Sequence, residues 1–474
     1  MKEKIEIAIE TARIMGASYA DIRFTSRKRE NISVKNGKPE AISSNEDQGI
    51  GVRVITEGSW GFSSSSKVSD IDTVVKNAID IARSSALTKK KDIVLAPAEP
   101  IRADYSTPCQ IDPFSVPLEE KLDLLLAADS LMNISSKIKI RESSLMSFLE
   151  DKIFASTEGS YITQRRIETG GEIAATAIEG TEVQRRSYPN NFGDYGSRGF
   201  EFIKEMGLTK NAQRVAEEAL ELLSAPKAPD GEQTIIVDGG QLTLQVHESI
   251  GHPIELDRVF GTEASYAGDS FLKPEMLGVF RYGSDIVNIT ADATLIGGLG
   301  SFGFDDEGVP AQSVPIIKDG IFCGFLTSRE TAQALGQKSN GTMRADGWGR
   351  LPLIRMTNIN LLPGQWALED LIADTDDGII LSTNKCWSID NKRLNFQFGC
   401  EFARRIKNGK LTEVLKNPVY TGITPEFWKS CDAICNKNHW HIFGVPNCGK
   451  GQPGQSAHVG HGVAPARFRK VKML

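Results

Sequence analysis

Ala225-Pro226-Lys227-Ala228-Pro229-Asp230-Gly231 divides this chain of 474 residues. Two prolines and a closing Asp-Gly within seven residues can continue neither a helix nor a central strand, so the segment predicts a linker. A chain of this length exceeds what a single core serves, which sets an expectation of two or three domains. The boundary is therefore placed between residues 1–225 and 226–474.

Upstream of the linker, helix and strand patterns alternate. Ile5, Ala8, Ile9 and Ala12 recur at helical spacing, and Ala20, Ile22 and Phe24 then alternate as in a strand. Ile32 and Val34 lead into Lys35-Asn36-Gly37-Lys38, where Asn-Gly supplies the positive φ angles of a tight hairpin. Ile50, Val52 and Val54 predict a second strand, and Ile71, Val74, Val75, Ala78, Ile79 and Ala82 one face of a long helix. Residues 87–117 carry three consecutive lysines and Pro97, Pro100, Pro108, Pro113 and Pro117, a composition that predicts an extended connector. A helix over 118–131, strands near 137–140, 147–155 and 171–178, and a helix over 208–223 complete this half. Thr-Glu-Gly-Ser occurs at 56–59 and again at 157–160, each time between strand-like runs, which reads as shared turn chemistry.

Downstream, strand-like runs near 234–237, 286–291, 379–382 and 395–398 dominate, with turns at Lys318-Asp319-Gly320 and Lys407-Asn408-Gly409. Strands joined by short turns pair antiparallel. The fold class expected is thus α+β: an N-terminal α/β-patterned domain, then a C-terminal domain rich in antiparallel sheet.

Composition excludes several function classes. A net charge of −6 gives no electrostatic reason for a nucleic-acid partner. The first 17 residues are amphipathic, unlike a signal peptide, and no run approaches the ~20 apolar residues of a membrane span. Seven scattered cysteines fit reduced thiols in a cytoplasm better than a disulfide framework.

One helix carries chemistry. Leu242, Val246 and Ile250 share a face that belongs to a core, while His247 and Glu248 point away from it, since each residue turns a helix by about 100°. His247-Glu248-Ser249-Ile250-Gly251-His252 is similar to the zinc motif in which two histidines at i and i+4 share a face. The second histidine here is at i+5, about 140° round a regular helix, so both could not reach one ion if the helix simply continued. Gly251 and Pro253 predict that it stops near Ile250 in a left-handed turn and that His252 swings back. Zn2+ suits imidazole, and Glu248 is placed to take a proton from a zinc-bound water. For the third ligand, Cys431, Cys435, His439, His441, Cys448, His458 and His461 are all candidates, and spacing alone does not choose. Cys431, Cys435 and His439, at i, i+4 and i+8, could form a metal face, though such a stripe more often packs as core.

These motifs, together with Asp305-Asp306-Glu307-Gly308, Arg355-Met356-Thr357-Asn358, Leu362-Pro363-Gly364 and Cys448-Gly449-Lys450, resemble the TldD/PmbA family of metallopeptidases, on its metal-bearing TldD side, over nearly the whole length. The resemblance implies a zinc site on His247, His252 and Cys448, with Glu248 as catalytic glutamate. It also implies that Arg355, Met356, Thr357 and Asn358 line the cleft and hold an extended peptide by strand addition. Asp305, Asp306 and Glu307 are read as a turn that buttresses the site. The implied activity is hydrolysis of unfolded or short peptides by a homodimer or a heterodimer with a PmbA-like paralogue. The rival expectation is a non-catalytic peptide-binding or regulatory subunit, whose structural zinc would be closed by a fourth ligand such as His461 or His458.

Overall fold

The computed structural model describes all of residues 1–474. The first half runs α1 (Lys2–Ile14), β1 (Tyr19–Lys35), β2 (Lys38–Thr56), β3 (Ser59–Ser65) and α2 (Ile71–Ala86). It continues through β4 (Arg102–Ser106), α3 (Leu118–Met132), β5 (Ile138–Ser156), β6 (Tyr161–Glu179), β7 (Glu182–Tyr188), β8 (Asp194–Gly196), α4 (Phe200–Met206) and α5 (Leu208–Ser224). All eight strands form one sheet, ordered β3-β2-β1-β5-β6-β4, with β7 and β8 also on β6. Asn36 and Gly37 turn β1 into β2 with φ of 49° and 75°. The expected strands near 137–140 and 147–155 are one continuous strand, β5, because its polar middle still pairs with β1 on one side and β6 on the other. Nor is the proline-rich connector wholly loose: residues 102–106 add β4 to the sheet edge, parallel to β6. Thr-Glu-Gly-Ser closes two different hairpins, β2–β3 and β5–β6.

Period-two alternation assigns the two faces of this sheet. Ile22, Ile32 and Val34 of β1, Leu145 and Ala155 of β5, and Ile173 and Ala175 of β6 pack under helices. α1 and α2 cover one end of the long strands, α3 and α5 the other. The opposite face is polar yet buried. Arg27 pairs across to Glu150, and Glu150 to Arg166, in a charged row over three strands.

The second half contributes β9 (Gly231–Val237), α6 (Gly239–Val246), β10 (Ile289–Asp292), β11 (Ser313–Lys318), β12 (Ile321–Phe322), β13 (Met343–Arg344), β14 (Leu353–Ile354) and β15 (Ile359–Leu361). Then follow β16 (Asp377–Ile389), β17 (Asn395–Lys407), β18 (Lys410–Leu415), β19 (Val419–Ile423), β20 (Cys431–Ile434), β21 (His441–Lys450), β22 (Gln455–Val463) and β23 (Ala466–Met473). The main sheet is ordered β16-β9-β23-β19-β17-β18, with β20 on β23; because β16 also pairs β17, five of its strands close a ring. α6 packs its Leu242 and Val246 into the largest apolar cluster, which lies in this half. No helix is long and apolar enough to cross a membrane.

Candidate metal centre

Asp238, just beyond β9, caps α6 by accepting a hydrogen bond from the Gln241 amide at 3.0 Å, which fixes where the helix starts. The helix does not stop in a left-handed turn. From His247 to Gly251 it widens into one π turn, and the His252 amide donates to the His247 carbonyl at 3.2 Å. One extra residue in the turn brings positions i and i+5 onto one face, the service that i+4 performs in a regular helix. Gly251 has no positive φ. Its lack of a side chain is required for space instead, since a Cβ there would lie 2.1 Å from Sδ of the fully buried Met356.

The result is a convergent donor set. His247, His252 and Cys448 are all buried, and their ligand atoms lie within 4.8 Å of one another. No other three or more His, Cys, Asp or Glu residues converge in this way. Cys448 arrives on β21 just after a bulge at Pro446-Asn447, and its Sγ is 3.8 Å from Nε2 of His252. Arg355 donates to the carbonyls of Cys448 and Gln455 and so holds the β21–β22 hairpin from behind.

Hydrogen bonds set the tautomers. A carbonyl can only accept, so His461 donates from Nδ1 to the Ile359 carbonyl at 3.2 Å. Its Nε2 is then an acceptor, and His247 donates to it from Nδ1 at 2.8 Å, leaving Nε2 of His247 with its lone pair. Glu255 does the same for His252, accepting from Nδ1 at 3.0 Å. Burial holds both imidazoles below their usual pKa, hence neutral. Burial opposes ionisation of the Cys448 thiol, but the neighbouring His252 ring and Arg355 guanidinium together outweigh it and bring the thiol below its ordinary value. Two neutral imidazoles and an eased thiol are the state a soft-to-borderline divalent ion requires. The residues fit a metal. His461 was expected only as a candidate ligand and Glu255 not at all; the His-x-x-Glu spacing of 252 and 255 was the only local signal. Because such partners orient a ligand, His461→Phe should lower metal affinity by about 10- to 100-fold in a chelator competition. Unchanged affinity would show that the relay is idle.

Glu248 is buried beside the ligands and pairs with Arg393, which the β16–β17 turn delivers to it. Both line a cleft of about 880 Å³ together with the three metal-ligand candidates. Glu172 of β6 lines the same cleft, its carboxyl pushed up to about 7 by burial above all.

Several expected positions fall elsewhere. Arg355, Met356, Thr357 and Asn358 do not line the cleft. All four are buried, and most of their polar groups are bonded internally: the Met356 carbonyl accepts from Arg344, the Thr357 carbonyl from Gly460, and the Asn358 amide side chain donates to the Asp292 carbonyl and Ser301. They brace the site rather than present an edge for a peptide. Asp305-Asp306-Glu307 is a turn, closed by Asp305 accepting from the Glu307 and Val309 amides. It buttresses the N-terminal sheet rather than the ligands, through Asp306 with Lys152 and Glu307 with Arg53. Cys431 and Cys435 are buried in and beside β20, His439 accepts from the Leu368 amide, and the three form no donor set. His458 is taken by Glu168, and His461 by His247, so neither closes the centre as a fourth ligand.

A buried His-His-Cys centre beside a glutamate, opening on a cleft between a sheet domain and a ring-closed sheet domain, defines a metallohydrolase-like class. Domain models of the PmbA/TldA metallopeptidases match residues 20–82 (domain 1), 111–225 (central domain) and 230–473 (C-terminal domain). The chain belongs to the PmbA/TldA metallopeptidase family. A metalloprotease of Methanocaldococcus jannaschii is 34% identical over 97% of each chain. A zinc metalloprotease TldD homolog of Saccharolobus solfataricus is 25% identical over 98% of each. The crystal structure of TldE from Thermococcus kodakarensis shares the fold, with a TM-score of 0.75 at 14% identity over 99% of both chains.

Proposed function

We propose that this protein is a zinc-dependent peptidase acting on unfolded or short peptides held extended in the cleft. The observation that carries this reading is the convergence of His247, His252 and Cys448 with Glu248 on the wall of one cleft. When bound, zinc supplies Lewis acidity, which polarises a carbonyl and makes water acidic near neutral pH. Glu248 takes the proton of the attacking water and passes it to the departing amine. Arg393 holds the Glu248 carboxylate in place, and because its side chain lines the same cleft its guanidinium can also donate to the substrate carbonyl. The edge of β21 at Asn447 and Gly449, both exposed at the cleft, offers main-chain groups to an extended peptide. Folded proteins do not fit a cleft roofed by the long sheet.

The test is metal removal. Chelation should abolish hydrolysis of an unstructured peptide, one zinc per chain should restore it, and a folded protein should remain uncut. Hydrolysis that persists in metal-free protein would overturn the reading.

A further inference from the structure

A second cavity, of about 280 Å³, lies where the charged face of the N-terminal sheet meets the C-terminal half. On its wall five cations (Arg27, Arg29, Lys152, Arg166 and Arg344) face four carboxylates (Glu150, Asp305, Asp306 and Asp346), and burial favours the neutral form of Asp305. Arg27 is matched by Glu150 at 2.7 Å and Asp346 at 3.2 Å, and Lys152 by Asp306 at 2.8 Å. Arg344 and Arg29 make no ion pair. Arg344 is 8% exposed, stacks 5.4 Å from the Phe302 ring and donates only to the Met356 carbonyl at 3.0 Å. Arg29 donates to Asn31 and Met146 Sδ, each at 3.3 Å. Arg166, equally buried, pairs with Glu168 and lies 3.8 Å from Glu150, but leaves its Nε without a partner. An unpaired buried guanidinium is costly, and Arg344 registers that cost: burial first, then Arg166, brings its pKa down to about 9. An anion seated between these forks would relieve it.

The cavity also has a route to the metal centre. Arg29, Pro446 and Asn447 border an intermediate space of about 230 Å³, which Tyr195 shares. Tyr195, Pro446 and Asn447 in turn line the metal cleft. The three spaces thus adjoin one another along Pro446 and Asn447, in a line from His247 to Arg344 that an extended peptide could follow as a groove.

We propose that Arg344, Arg29 and Arg166 form a carboxylate subsite at the far end of this groove, so that the preferred substrates are peptides bearing an acidic group to one side of the scissile bond. This deepens the peptidase reading and rests on it. The shared chemistry is a peptide carboxylate, from either an Asp or Glu side chain or the free C-terminus. A guanidinium takes it through two parallel hydrogen bonds, which an amide cannot match.

The experiment compares fluorescent peptides of one sequence with a free C-terminus, an amidated C-terminus, and an internal Glu or Gln, in the zinc-loaded protein. Binding by anisotropy and cleavage rate are read in parallel. The acidic forms should bind about tenfold tighter or better than their neutral counterparts, and which substitution abolishes the gain names the source of the carboxylate. In Arg344→Met and, separately, Arg29→Met, acidic and neutral peptides should become equivalent. The Arg29 change lies on the sheet surface and does not depend on the C-terminal half refolding around it. Equal binding of all four peptides by the unaltered protein overturns the subsite, as does a preference for acidic peptides that survives both substitutions. Absence of cleavage with the binding preference intact would instead overturn the peptidase reading and leave the subsite standing.

Discussion

Glu248→Gln keeps its metal and loses peptide hydrolysis by about two to four orders of magnitude, the usual worth of a general base. The substitution preserves size, so the cleft wall and the π turn that carries His247 and His252 are undisturbed. The amide oxygen still accepts from Arg393, which keeps the guanidinium in place. Only the capacity to take a proton is gone. Metal content by elemental analysis and the single-turnover rate on an unstructured peptide separate the cases. If metal and activity fall together, Glu248 is a ligand or a support for one. Arg393→Lys should behave differently: a point charge can neutralise Glu248 but cannot also reach a carbonyl with the fork that Arg393 presents. Its loss should be smaller and fall on kcat more than on metal content.

The parts of this fold that were legible from the chain are those fixed by neighbours in sequence. Asn36-Gly37 specifies a hairpin through backbone angles alone, and the stripe from Ile71 to Ala82 specifies a helix because burial follows its period. The linker around Pro226 and Pro229 falls between the last helix of the eight-stranded sheet and the first strand of the next. Of the candidate site, His247, Glu248 and His252 could be found because they lie within six residues of one another. Geometry within that run could not. Gly followed closely by Pro signals a helix end, and a periodicity argument is blind to a single inserted residue, so the π turn was invisible. The second set of partners is invisible for another reason. His461 reaches His247 across 214 residues, and Arg393 reaches Glu248 across 145, with nothing local to announce either contact. For Arg355 to Asn358 the expectation came from the family resemblance, and no local pattern in the segment could test it, because what covers it is distant in sequence: β22 and the 292–301 loop.

Gly251 tests which account of the two histidines is right. If the chain left the helix there in a left-handed turn, backbone strain would rank the substitutions, and Asn, which tolerates positive φ, would be the mildest. The π turn ranks them by bulk. Its backbone is helical throughout, with φ −69° and ψ −42° at His252, so no residue is penalised for conformation. A side chain is penalised because its first atom meets Met356 Sδ at 2.1 Å. Met356 is flexible but has no exposed surface to swing into, so relief must come from moving the segment behind it. That segment includes Arg355, whose guanidinium holds the Cys448 carbonyl. Overpacking therefore reaches two ligands at once, His252 through the turn and Cys448 through Arg355. Gly251→Ala should cost about 1–3 kcal/mol in the metal-free protein and weaken zinc binding, with Asn and Val both worse than Ala. Met356→Ala removes the obstructing thioether. On its own it should destabilise by about 2–5 kcal/mol through the cavity it leaves, yet combined with Gly251→Ala the losses should be clearly less than additive, because the new methyl occupies vacated space. Melting curves of the metal-free proteins and zinc affinities of the four-member cycle decide it. Additive losses, or an Asn variant milder than Ala, would restore the left-handed turn and remove the packing explanation.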